Sequence, residues 1–211
     1  MDVESFVREK ITWLGHASFR ITGSKSTVYI DPWKLTSSVP ADVVCITHSH
    51  FDHLSAEDVE KVRKQTTVIL GPPDCAAGFG NAFKTIAPGQ SLTFGDVTVE
   101  AVPAYNVDKE FHQKKMNWVG YVVTVDGIRI YHTGDTDMIP EMSQVNTDVA
   151  LLPVGGTYTM TVQQAVEAVK KINLKVAVPM HCGDIVGGLQ DRDAFKSASP
   201  VPVVILDPTD R

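Results

Sequence analysis

What most constrains the fold is a succession of short β-rich runs, each stopped by Gly, Pro or Asp. They fall at residues 11–14, 19–22, 28–31, 43–47 and 68–70, then at 97–102, 119–125, 128–133, 149–153, 176–179 and 203–206. Two helices are marked among them. Ser55 ahead of Glu57 and Asp58 is an N-cap with acids in the first turn, which predicts a helix over 55–64. Thr161 with Gln164 fits a capping box, and Val162, Ala165, Val166 and Val169 then share one face. Strands in two blocks, each closed by a helix and a return strand, predict an α+β chain with two mixed β-sheets flanked by helices. Asp126-Gly127 between two runs predicts a type I′ hairpin with both central residues at positive φ. Residues 71–89, rich in Gly, Pro and Ala, read as loop. No linker or repeat divides the sequence, so residues 1–211 are expected to form one domain. A chain of this length buries a sufficient core without staples, so a metal would serve chemistry more than folding.

The chemistry is concentrated in His48-Ser49-His50-Phe51-Asp52-His53, directly after the apolar run Val43-Val44-Cys45-Ile46. Alternate side chains of a strand share a face, so His48 and His50 emerge together at its end and can take one ion. A turn after them carries Asp52 and His53 to a neighbouring position, which suits a second ion. The competing reading is a polar loop that caps the helix after it. Imidazole suits zinc and other first-row metals, whereas carboxylate admits harder ions too.

H-x-H-x-D-H resembles the signature of the metallo-β-lactamase superfamily, and three further stretches carry the likeness over nearly the whole chain. They are His132-Thr133-Gly134-Asp135-Thr136, Val178-Pro179-Met180-His181, and the segment from Ala104-Tyr105-Asn106 to His112 before Trp118-Val119-Gly120-Tyr121. Trp13-Leu14-Gly15-His16-Ala17-Ser18-Phe19 and Ile30-Asp31-Pro32-Trp33 resemble a narrower branch, small metal-dependent hydrolases related to ascorbate-6-phosphate lactonase and N-acylphosphatidylethanolamine phospholipase D. The resemblance implies an αββα sandwich with a dinuclear site at one edge. It implies His48, His50 and His112 on a first ion, Asp52, His53 and His181 on a second, and Asp135 bridging both. Zinc is the first expectation for the two divalent ions, with manganese or iron as alternatives. The implied activity is hydrolysis of a small ester, lactone or phosphodiester through a metal-bound hydroxide, with Asp52 and Asp135 catalytic as well as ligating. A mononuclear iron redox enzyme of the same fold, or a nuclease, is the competing expectation.

Several roles stay open at this level. His16 is the rival to His112 as the third ligand of the first ion, and otherwise lines the site or makes a structural hydrogen bond. His132 either supports a ligand or fills a strand, and Asp31 either ends a turn or orients a ligand. Tyr158 is a candidate substrate contact, in a Gly155-Gly156-Thr157 turn that either offers N–H groups to an anion or merely joins strand to helix. Lys109, Lys114 and Lys115 either draw an anionic substrate or are solvated. A net charge of −6 argues against a nucleic-acid partner. Three cysteines without a C-x-x-C pattern fit a reducing cytoplasm. The first residues lack an apolar signal core, and no apolar run reaches the roughly 18 residues of a span, so a cytoplasmic enzyme with no membrane insertion is expected. The expected partner is a small molecule; oligomeric state stays open.

Overall fold

Side-chain alternation sorts the first block into layers. In the computed structural model, which describes residues 1–36 and 39–209, β3 (Thr27–Ile30) and β4 (Val43–Cys45) turn Val28, Ile30, Val43 and Cys45 inward. Tyr29, Val44 and Ile46 face the other way, onto Val59 and Val62 of α2 (Ala56–Val62). Residues 37, 38, 210 and 211 of the expected domain lie outside the described residues. The first sheet runs antiparallel from β1 (Ile11–Gly15) through β2 (Ser18–Thr22) to β3, then parallel through β4 and β5 (Val68–Gly71) to β6 (Phe83–Thr85).

The second sheet is its mirror in layout. Antiparallel pairing joins β7 (Ser91–Phe94), β8 (Val97–Pro103), β9 (Val119–Val125) and β10 (Ile128–His132); parallel pairing continues to β11 (Val149–Pro153) and β12 (Val176–Met180). Val97, Val99, Tyr121, Val123 and Val125 meet the inward face of the first sheet in one buried cluster. α3 (Val162–Val169) adds Ala165, Ala168 and Val169 to that cluster, and α4 (Gln190–Ala198) adds Phe195 beside β12. The result is the αββα sandwich with two mixed sheets. Ser55 caps α2, and Thr161 and Gln164 form the capping box of α3. Asp126 (φ 51°) and Gly127 (φ 78°) make the hairpin turn.

Five elements differ from the sequence reading. The 203–206 run is not a strand: only Val203 bridges to Ala177, and the next bond of a parallel ladder would need an N–H from Pro179 of β12, which has none. The 71–89 stretch holds β6, and β7 and the helices α1 (Val3–Lys10) and α4 had no prominent signature.

The two sheets are tied where the site forms. The Tyr121 hydroxyl donates to Ile46 O at 2.7 Å, Val119 N to Thr47 O at 3.2 Å, and His181 N to His16 O at 2.8 Å. Within the second sheet, Gly120 lets β9 lie close against the end of β10, since a Cβ there would stand 2.6 Å from the carbonyl oxygens of His132 and Thr133.

Candidate metal centre

The chain leaving β4 is pinned by Asp31, a buried carboxylate at the end of β3. Its Oδ1 accepts from Thr47 N at 2.7 Å, and its Oδ2 accepts from the Thr47 hydroxyl at 2.6 Å and from His53 Nδ1 at 2.7 Å. With its proton given to Asp31, the Thr47 hydroxyl accepts from His48 Nδ1 at 2.9 Å. Each of these bonds fixes a tautomer: His48 and His53 are left with Nε2 lone pairs directed inward. His112 is set the same way, its Nδ1 donating to Asn106 Oδ1 at 2.9 Å. Asn106 also accepts from His112 N and donates through Nδ2 to Tyr158 O, so one amide holds the whole loop.

These lone pairs converge on one region. His48 Nε2 faces His50 Nδ1 at 3.1 Å. Asp135 Oδ2 lies 3.0 Å from His181 Nε2 and 3.3 Å from His112 Nε2, and its Oδ1 lies 3.4 Å from His53 Nε2. Despite these distances, His53 Nε2, His112 Nε2, His181 Nε2 and Asp135 Oδ1 are buried with no hydrogen-bond partner, as is His16 Nδ1. Buried polar atoms are rarely left so. A nitrogen-rich set with carboxylate oxygen is what zinc and its first-row neighbours take, so the residues fit such ions.

Three overlapping groups have their ligand atoms within 4.8 Å of one another: His48, His50 and His112; His16, Asp52, His53 and His181; and His48, His53 and Asp135. All seven residues expected as ligands are thus brought to one place. His16 is the exception to the expected choices. It stands with Asp52, whose Oδ2 is 3.0 Å from its Nε2, and with the His181 ring at 3.9 Å, on the side away from His48 and His50. It is no substitute for His112. His132 belongs to none of the groups. Its Nε2 donates to Ala17 O and its Nδ1 accepts from Gly134 N, tying the β1–β2 hairpin to the turn that carries Asp135.

His16, Asp31 and His181 all adopt left-handed backbone, with φ of 51°, 47° and 55°. Such conformations cost energy for residues with a Cβ and persist where the surroundings over-determine them. Sequence reasoning missed Thr47 altogether and named Asn106 only as part of the stretch leading to His112. It also missed Asp74, which accepts from Trp118 Nε1 at 2.9 Å and from Ser49 Oγ at 2.7 Å, seating the Trp118 ring beside those of His48 and His50. No spacing pattern links these residues to the motif; only the fold does. In the Gly155 turn the N–H groups of Gly156, Tyr158 and Thr159 are bonded to carbonyls of the turn itself.

Burial dominates the electrostatics. It lowers His16 and His112 to about 4, pushes His48 well below the ordinary range, and lowers His50 and His132. His53 is the opposite case: burial opposes its charge, but the Asp135 and Asp31 carboxylates outweigh it and raise the pKa well above normal. Asp135 is buried too, yet the facing imidazoles of His181 and His53 hold it well below the carboxylate range.

The signs give a pH profile for chelator-treated protein. Where a histidine's folded pKa lies below its unfolded value of about 6.5, the unfolded chain takes protons first, so stability is complete above that pH and is lost as pH falls towards 4. His53 contributes fully below about 6.5, and its contribution is lost as pH rises through its raised pKa. The urea midpoint is therefore expected to peak near pH ~6.5, with the steeper fall on the acid side. A midpoint that climbs as pH drops from that value would contradict the assignment.

His50, Phe51, Asp52, Phe111, Asp135 and Tyr158 are among the residues lining a cleft of about 330 Å³ above this cluster. None of the helices among the described residues is long and apolar enough to cross a membrane. A family model described as "Beta-lactamase superfamily domain" matches residues 10–181. A UPF0173 metal-dependent hydrolase of Archaeoglobus fulgidus is 35% identical, over 94% of this chain and 96% of that protein. Among solved structures, a protein of Parabacteroides distasonis superposes with a TM-score of 0.83 at 33% identity, over 93% of each chain. Igni18, a metallo hydrolase of Ignicoccus hospitalis, does so with a TM-score of 0.77 at 25% identity, over 94% of each. The extent of these matches and the His/Asp cluster agree: this chain belongs to the beta-lactamase superfamily, among its metal-dependent hydrolases.

Proposed function

We propose that the protein uses two divalent ions, zinc in the first instance, to hydrolyse a small ester, lactone or phosphodiester. The observation that carries the reading is the set of buried, unpartnered imidazole and carboxylate atoms grouped on two sides of Asp135 at the floor of an open cleft. When bound, a pair of ions lowers the pKa of a water, polarises the substrate oxygen and stabilises the departing group. The chain's own residues do the rest. Asp135 separates the His48–His50–His112 group from the His16–Asp52–His53–His181 group and faces both. Burial opposes the charge of Asp52, but its bond to His16 and the neighbouring His53 together outweigh it and lower its pKa, so at neutral pH it is ionised. It lines the cleft, where it can take a proton from an attacking water and orient what remains. The thiols do not compete for the role: Cys45, Cys75 and Cys182 are buried, and burial pushes all three up.

Elemental analysis of purified protein, paired with hydrolysis of p-nitrophenyl esters and bis-p-nitrophenyl phosphate, tests the reading. Close to two ions per chain with turnover is expected. One equivalent of iron with an oxygen-dependent activity would displace it.

The two sides of the site should separate under mutation. His112→Ala is expected to release the ion of the first group, while His16→Ala weakens the second by about 10–100-fold through loss of its bond to Asp52. Occupancy at each position in crystals grown over a range of metal concentration reads the difference. Loss of the first ion in His16→Ala would reverse the roles.

A further inference from the structure

Large apolar side chains exposed singly on a surface need no explanation, but here three of them border the same cleft. Phe51 is 73% exposed, Phe111 53% and Ile185 38%, and all line the opening above His50, Asp52 and Asp135. Phe51 stands between His50 and Asp52, and Phe111 directly precedes His112, so these rings are attached to the very segments that carry the candidate ligands. Phe111 is braced edge-on against Tyr158 at 4.7 Å, and Phe51 stands edge-on to Trp33 at 6.3 Å. A substrate with its reactive atom at the cluster meets these side chains as it leaves the cleft.

Groups that read anions are missing from the same surface. No Lys or Arg is among the described residues lining the cleft. The nearby cations are engaged elsewhere: Lys109 with Asp137, Lys114 with Glu141 at 2.9 Å, and Lys34 with Asp184 at 3.3 Å. The turn N–H groups of Gly156, Tyr158 and Thr159 are already bonded.

We infer that the cleft selects its substrate by an uncharged apolar arm, an alkyl chain or aryl ring on the acyl side of an ester or lactone, seated on Phe51, Phe111 and Ile185. This rests on the hydrolase reading above and narrows it. Hydrolysis of such a substrate places the oxygen of water on the carbonyl carbon and returns a proton to the departing alkoxide, so no co-reactant is required.

Straight-chain hydroxamic acids, from acetohydroxamic to octanohydroxamic acid, are suitable probes, because the head group chelates metal whatever the tail. Calorimetric titration of metal-loaded protein is expected to show Kd falling about two- to fourfold for each added methylene. Phe111→Ala and Ile185→Asn, each checked for ion content, should compress that gradient. A flat series in the wild type, no binding of any member, or tighter binding when the tail ends in a carboxylate would each overturn the inference. A steep gradient in protein that hydrolyses none of the p-nitrophenyl esters would support the apolar arm and strike instead at the proposed reaction.

Discussion

Asp135→Asn is expected to reduce turnover by about 10²–10³-fold while the protein stays folded. The carboxylate sits after the left-handed Gly134 (φ 65°), where a Cβ would come 2.8 Å from Val119 O, so the backbone delivers Asp135 to one position. There its two oxygens face His53, His112 and His181 at 3.0–3.4 Å. Asparagine keeps the volume and removes the charge, so under the proposed two-ion reading the loss falls on what the charge would do: hold two cations close together and set the imidazoles around them. Turnover of bis-p-nitrophenyl phosphate and p-nitrophenyl acetate, with ion content and a thermal melt beside it, checks this. Near-wild-type rates with both ions retained would show that Asp135 joins nothing.

The second large effect is on stability, at a residue that no substrate reaches. Asp31→Ala leaves Thr47 N, the Thr47 hydroxyl and His53 Nδ1 as buried donors without an acceptor. Stranding such groups costs about 3–5 kcal/mol, a fall in Tm of roughly 10 °C or more for a chain of this size. Because His53 then loses its fixed tautomer, metal affinity is expected to drop about 10–100-fold as well. Asp31→Asn, which keeps one acceptor oxygen, should fall between. Melts of metal-free and metal-loaded protein separate the two contributions; an unchanged metal-free melt in Asp31→Ala would refute the anchoring role.

Much of this was legible from the chain. Strands announced themselves because both sheets are buried on one or both faces and are written in Val and Ile. The H-x-H-x-D-H stretch declared itself by the density of ligating side chains just past an apolar run, although β4 ends at Cys45 and the loop beyond it brings His48 beside His50. What stayed hidden has physical reasons. β7 alternates exposed Ser91 and Thr93 with half-buried Leu92 and Phe94, a weak pattern on an edge strand. α4 has no side-chain cap, and Phe195 is its only fully covered apolar residue. The 203–206 run looks like a strand in composition, yet its neighbour β12 carries Pro179 where the next donor would have extended the pairing. Asp31, Thr47 and Asn106 are invisible as a set because their partners are chosen by the fold and not by spacing. Asp31 reaches His53 across the parallel pair β3–β4, and Asn106 reaches His112 across a loop.

The ties that join the sheets at one edge make the sandwich a caliper. One jaw carries His16, His48, His50, Asp52 and His53, the other His112, Asp135 and His181. The width of the gap is set some distance away, by the interdigitated Val28, Ile30, Val99 and Val123 between the sheets. Interiors packed to crystal-like density pass small changes in volume along rather than absorbing them. The apolar middle of this protein is therefore part of its measuring instrument, and sequence drift there is registered at the rim.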